Sequence, residues 1–504
     1  MEKNHSVVPS FTPSQPVDSG QDLGQIKRQS VTGALSYFLR TLLLQGLGFV
    51  SIGVLSAFFT PEDFAIYGVV VVIMGLLVFF SDIGLAAALV QQKTLPNQSE
   101  YRTAFTVQQL LSWLIVGVAL VLVKSGLITE KTGAAGEWIM MALALSFPLA
   151  TLKTIPSIIL ERKLEFSKLV IPAIAEQIVF HSILIGLAWK GVGVVAYAYA
   201  IIFRSVIGVI VMNRLQSWSF GFELSRAALK QLLSFGVKFQ LNDFLARIKD
   251  QLFYLVLGWW LPLREFGYIQ WAKNWSMYPY NLTVQNVMAI TFPAFSRLQA
   301  HPKALSRAIE VSIFFITLLI FPIIIGMSLI VDPIIKLAPV YAKWQPAVLS
   351  FIFFSLSIGW SAISTPLTNT LNAIGQINKT LKLMLMWTGL TWVLTPLAII
   401  KWGYNGVALA AFIISLTSFM AITMVKQTVQ IHVWSQVWRQ LLACIFMALV
   451  GWFGQAALAR SWLNLLLGIV MLGLIYVLSV LATGWPKISR EVRGILQHFS
   501  PKIM

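Results

Sequence analysis

Apolar segments long enough to cross a bilayer follow one another along almost the whole chain. This recurrence limits the fold more than any single motif does. A run such as YGVVVVIMGLLVFF (67–80) is continuous rather than alternating. A β-barrel strand would show about 10 residues of strict alternation, whereas an α-helix needs about 20 apolar residues to span the hydrocarbon core. Fourteen spans are expected, at 32–59, 63–90, 103–128, 135–158, 167–188, 191–213, 232–260, 266–296, 308–331, 345–372, 381–400, 404–426, 437–458 and 462–483. Charged residues make up 11% of the 504 positions, against about 25% in soluble domains. The expected class is therefore an all-α polytopic membrane protein.

The net charge is +18. In a membrane protein such an excess reflects topology, because cytoplasmic loops collect Lys and Arg. With the N-terminus placed in the cytoplasm, inside segments hold 22 Lys and Arg and outside segments hold 8. Both termini are thus expected to be cytoplasmic. No segment is long enough to be a basic soluble module, so nucleic acid is not an expected partner. Residues 1–30 are polar, rich in Pro, Ser and Gln, and lack a signal-peptide pattern, which reads as a disordered cytoplasmic tail. Residues 486–504 read as a basic cytoplasmic tail. The lone Cys444 excludes an intramolecular disulfide and leaves no cysteine-based metal site.

A weak internal repeat divides the chain. LSAFFTPEDFAIYG (55–68) matches LGWWLPLREFGYIQ (257–270), with Phe64 over Phe266. KGVGVVAYAYA (190–200) matches KWGYNGVALAA (401–411), with Val194 over Val407. The similar offsets predict two six-helix lobes, 31–230 and 231–430, related by a pseudo-two-fold axis, plus two further helices in 431–485. Parallel repeats of this kind occur in transporters.

Ionisable residues at membrane depth are the candidate functional groups, since each costs roughly 2.5–3.5 kcal/mol at a helix centre on insertion scales. The cations are Arg40, Lys153, Arg204, Lys238, Arg247, Lys249 and Lys273; the acids are Asp82, Glu176, Asp243 and Asp250. In NDFLARIKDQLFYLVLG (242–258), Asp243, Arg247 and Asp250 fall within about 60° on one helix face. Lys153 and Lys238 lie near expected cytoplasmic ends, where snorkelling is the simpler reading. Arg40, Arg204 and Lys273 lack partners on their own helices, and Glu176 or Asp82 could pair with them across helices. A hydrated interior with this balance of charge would attract an anion. No nucleotide cradle, HExxH motif or metal-ligand cluster is present in the sequence, and no catalytic set is expected.

FTPEDFAIYGVVVVIMGLLVFFSDIGLAAALVQQKTL (59–95), FLARIKDQLFYLVLGWWLPLREFGYIQWAKNWSMYP (244–279) and FPAFSRLQ (292–299) resemble bacterial polysaccharide flippases. These belong to the multidrug/oligosaccharidyl-lipid/polysaccharide exporter superfamily, and the similarity runs over about residues 25–485. The resemblance implies fourteen helices, two lobes around a central cavity, and alternating access. It implies a polyprenyl-diphosphate-linked oligosaccharide as cargo, moved from the inner to the outer leaflet for exopolysaccharide, capsule or O-antigen synthesis. It also implies the bacterial inner membrane and polysaccharide polymerase and export machinery as partners. Arg40, Asp82, Arg247 and Lys273 stand where related flippases carry cavity arginines and an aspartate, Lys273 replacing an arginine. Together with Glu176, Arg204, Lys249 and Asp250 they form the expected substrate-binding set. Asp250 and Arg247 are expected either to serve the diphosphate or to form a fixed strut. No cofactor is expected; H+ or Na+ are candidate coupling ions. The alternatives are a multidrug or other lipid exporter of the same superfamily, or a membrane polysaccharide polymerase or ligase.

Overall fold

A computed structural model describes residues 41–92 and 94–499, with side chains throughout except at 80, 235–250, 290 and 484–499. Among the described residues there is helix and no strand. The first half contains α1 (Thr41–Phe58), α2 (Pro61–Leu77), α3 (Leu85–Gln91), α4 (Gln98–Lys124), α5 (Leu127–Arg162), α6 (Phe166–Trp189) and α7 (Ala196–Leu215). The second contains α8 (Arg226–Trp260), α9 (Leu263–Tyr280), α10 (Asn286–Leu298), α11 (Pro302–Leu337), α12 (Val348–Ala373), α13 (Ile377–Trp402), α14 (Asn405–Leu416) and α15 (Phe419–Lys426). Two further helices follow, α16 (Val433–Leu458) and α17 (Trp462–Phe499).

Among the described residues, eleven helices are long and apolar enough to cross a membrane. Three expected spans differ, each for a local reason. The segment at 63–90 is interrupted: α2 passes through a 3-10 turn (Val78–Ser81) to a break at Asp82–Gly84 before α3. Ile83 and Gly84 there have φ of 50° and 76°, and a β-branched residue in the left-handed region is strained. The segment at 266–296 is divided between α9 and α10 by a π-helical turn (Asn281–Gln285). Span 232–260 is one continuous helix, α8, but it carries too many ionisable residues for an ordinary apolar span.

Local sequence explains several helix starts. Thr60 and Asp63 form a capping box at α2, with Pro61 at the first position; Asn97 and Glu100 do the same at α4. Each box satisfies two backbone donors that the first turn leaves unpaired. Outward faces are strongly apolar, as at Phe453 (84% exposed) and Ile400 (77%). A bilayer as solvent makes this surface stable.

The two halves meet through α2, which packs against α8 and α9. At the start of α2 the approach is a backbone contact: a Cβ on Gly267 would lie 1.8 Å from the Pro61 carbonyl oxygen. The same end of the bundle is closed by polar contacts. Trp344 Nε1 donates to Ser56 O (2.7 Å), Lys343 Nζ to Ala57 O (2.7 Å) and Tyr341 OH to Gly53 O (3.2 Å). Ser56 and Ala57 lie in the last turn of α1, where carbonyls lack intrahelical partners. Trp271 stacks on Trp344 at 5.1 Å and donates through Nε1 to Ser56 Oγ at 2.9 Å.

Candidate functional site

Beneath this closure lies a cavity of about 500 Å³, bounded by α1, α2, α6 and α7 on one side and α8 and α9 on the other. Its described lining contains Lys273 and no carboxylate. Amides and phenols dominate the polar wall: Gln251, Gln270, Asn274, Tyr67, Tyr254 and Tyr278. Glycines on α2 make room for the two glutamines. A Cβ at Gly68 would lie 2.6 Å from Gln270 Nε2, and one at Gly75 would lie 3.0 Å from Gln251 Nε2. Ser51, 2% exposed on α1, lines the cavity with no hydrogen-bond partner for its hydroxyl among the described residues. The same holds for Nδ1 of His181. Such orphaned polar atoms are rare in native interiors and need an explanation such as a water or a ligand.

Lys273 projects from α9 with Nζ 3.3 Å from the centre of the Tyr254 ring. The ring's negative face holds the ammonium in place without neutralising it. Both side chains also line a second chamber, enclosed by α8, α9, α12, α13 and α14.

The other expected site residues are placed differently. Asp82 stands at the break in the second span and is not among the cavity's lining residues. Its Oδ1 accepts from Ala86 N at 3.2 Å and from Gln108 Nε2, so it caps α3. Glu176 pairs with Lys153 in a separate cavity between α3, α5 and α6. That pairing takes Lys153 out of the snorkelling role. Gly208 on α7 lets the carboxylate approach, since a Cβ there would lie 2.0 Å from Glu176 Oε1. Arg204 lies 5.1 Å from the centre of the Phe180 ring, which faces the central cavity. Arg40 lies outside the described residues, as do the side chains of Arg247, Lys249 and Asp250. Among the described residues there is no group of three or more His, Cys, Asp or Glu able to hold a metal ion.

Sequence reasoning from charge alone passed over the amides and tyrosines of the central wall. Their signal was present as Gln251, Gln270 and Asn274 inside segments otherwise built for lipid.

A family profile described as "Polysaccharide biosynthesis protein" matches residues 54–349. The chain belongs to the polysaccharide biosynthesis protein family. The match covers the cavity lining from Leu55 to Asn281, and leaves out Gln45, Gly48, Ser51 and Ile52 on α1. This family member is 22% identical over 293 residues to the succinoglycan biosynthesis transport protein ExoT of Rhizobium meliloti (strain 1021). It is 21% identical over 339 residues to the lipopolysaccharide biosynthesis protein WzxC of Escherichia coli (strain K12). These alignments cover 57% and 64% of this chain, and 58% and 65% of the relatives' own lengths. In fold, the family member is similar to the lipid II flippase MurJ in an inward closed conformation, with a TM-score of 0.72 at 14% identity, covering 89% of this chain and 99% of that one. A multidrug resistance MATE transporter of the MOP superfamily, inward-facing, gives 0.53 at 14% identity, covering 78% and 99%. The fold class expected from sequence is thus shared with solved members of that superfamily.

Proposed function

We propose that this protein is a flippase that moves a polyprenyl-diphosphate-linked oligosaccharide from the inner to the outer leaflet of the bacterial inner membrane by alternating access. The observation that carries this reading is the central cavity between the two halves, whose described lining has Lys273 and no carboxylate. A wall of this kind attracts the diphosphate, while amides and phenols supply neutral donors to its oxygens. Arg40 and Arg247 are assigned to the same diphosphate by their sequence positions. Membrane lipid takes the polyprenyl tail. The names of ExoT and WzxC support a role in polysaccharide assembly. The excess of Lys and Arg in the expected inside segments supports cytoplasmic termini, and a polymerase acting downstream belongs to the same proposal. Coupling to H+ or Na+ belongs to the same proposal. A multidrug exporter of organic cations fits less well, because a cation would meet Lys273 and no described acid.

Depletion of the protein in cells tests the proposal. A lipid-linked oligosaccharide should accumulate in the cytoplasmic leaflet, and purified protein in liposomes should move it across. Purified protein that extends or cleaves the oligosaccharide without a partner would overturn the transporter reading.

A further inference from the structure

We infer that the second chamber, formed wholly by helices of the second half, is a binding site for the sugar portion of the cargo; this inference rests on the flippase reading. The chamber has a volume of about 490 Å³, within the range of small-ligand pockets. It meets the central cavity at Lys273, Tyr254 and Met277, which line both. A ligand anchored by a charged group at Lys273 therefore has two spaces open to it.

The chemistry of the chamber wall differs from that of the central cavity. It is rich in hydroxyls, and those of Ser357, Ser361, Ser364, Thr388, Thr391 and Ser415 have their protons already committed to backbone carbonyls. Ser357 Oγ donates to Ala411 O (3.2 Å) and Ser361 Oγ to Ser357 O (3.1 Å). Thr388 Oγ1 donates to Met384 O and Thr391 Oγ1 to Trp387 O, each at 2.7 Å. A hydroxyl has one proton and two lone pairs, so these groups have only acceptor capacity left. The indole N–H of Trp387 is likewise spent on Thr417 Oγ1 at 3.0 Å. No carboxylate is among the described lining residues, and Lys273 is their one cation.

An acceptor-rich wall suits a ligand that brings many neutral donors. A phosphate brings acceptors and would be repelled from everything but Lys273. A polyhydroxylated sugar brings a donor on nearly every carbon. Trp392 adds a flat apolar surface: it is 40% exposed, lines the chamber, and is braced edge-on by Phe253 at 5.5 Å. The C–H face of a pyranose packs on such a ring. The charged linkage would then rest at Lys273, with the sugars nearest to it in the chamber.

The test uses the full-length protein in liposomes with two probes. One is the polyprenyl-diphosphate oligosaccharide pool extracted from cells depleted of the protein; the other is polyprenyl diphosphate without sugar. The variant is Thr388→Val with Thr391→Val, which keeps side-chain shape and removes two acceptors. It should slow oligosaccharide transport about tenfold, the scale of two neutral hydrogen bonds, while sugar-free transport stays within about twofold. Ser361→Ala with Ser415→Ala, on the other walls, should show the same selectivity. Both double variants moving both probes like wild type would overturn the chamber assignment alone. An equal loss on both probes would also overturn it, since the effect would not concern sugar. Wild-type protein that moves neither probe would instead overturn the flippase reading, and this inference with it.

Discussion

Lys273 and Tyr254 form a cation–π pair, with Nζ 3.3 Å from the ring centre, at the point where the central cavity and the second chamber join. Among the described residues the ammonium has no carboxylate partner. Its charge is therefore available to a ligand from either space.

Lys273→Gln should lower transport of the lipid-linked oligosaccharide about 10- to 100-fold, the cost of a lost charge-assisted hydrogen bond being about 1.5–3 kcal/mol. Lys273→Arg should retain most activity, because the expected diphosphate contact tolerates a fork as well as a point charge. Liposome transport at matched protein content measures both. Equal activity of Lys273→Gln and wild type would remove Lys273 from the site.

Asp82 gives the opposite expectation. It caps α3 through an acceptor oxygen that Asn also possesses. Asp82→Asn should keep near wild-type stability and transport, whereas Asp82→Ala should lose about 1 kcal/mol of stability. Complete loss of transport in well-folded Asp82→Asn would show that its charge, and not the cap, matters.

The Lys153–Glu176 pair joins α5 to α6, with the two side chains 21% and 19% exposed. Glu176→Gln leaves a largely buried ammonium without its counter-charge and should destabilise the fold by about 1–3 kcal/mol, less than a fully buried pair would. Gly208→Ala should also destabilise, because its Cβ meets the held carboxylate. In a Glu176→Ala background the Gly208→Ala penalty should shrink. Thermal unfolding of Glu176→Ala, Gly208→Ala and the double variant beside wild type forms a double-mutant cycle, and additive effects would refute the contact.

Trp344→Phe removes the indole N–H donated to Ser56 O while keeping a ring on the Trp271 stack. The closed end of the bundle should then open more often. Cys444 is buried, so a cysteine introduced at Ser51 can report access with a charged maleimide. Labelling should increase severalfold in Trp344→Phe; unchanged labelling would mean that this hydrogen bond does not hold the closure.

Hydropathy alone determined that this is a helical membrane protein, because transfer of apolar residues to lipid is a property of each segment by itself. Capping boxes at Thr60 and Asn97 were equally local, set within four residues. Membrane depth, also a local quantity, singled out Lys273 as a candidate group. The use of each charge was not local. Asp82 and Glu176 look alike in sequence, as acids inside apolar spans, yet one meets Ala86 N and Gln108 while the other meets Lys153. Which partner each finds depends on how helices cross, and those crossings are set by close approaches such as Gly208 to Glu176 and Gly267 to Pro61. The hydroxyl-lined chamber was hidden for a related reason. A serine or threonine in a membrane helix can satisfy its proton on its own helix's backbone, so each reads as unremarkable until tertiary packing gathers their remaining lone pairs around one space.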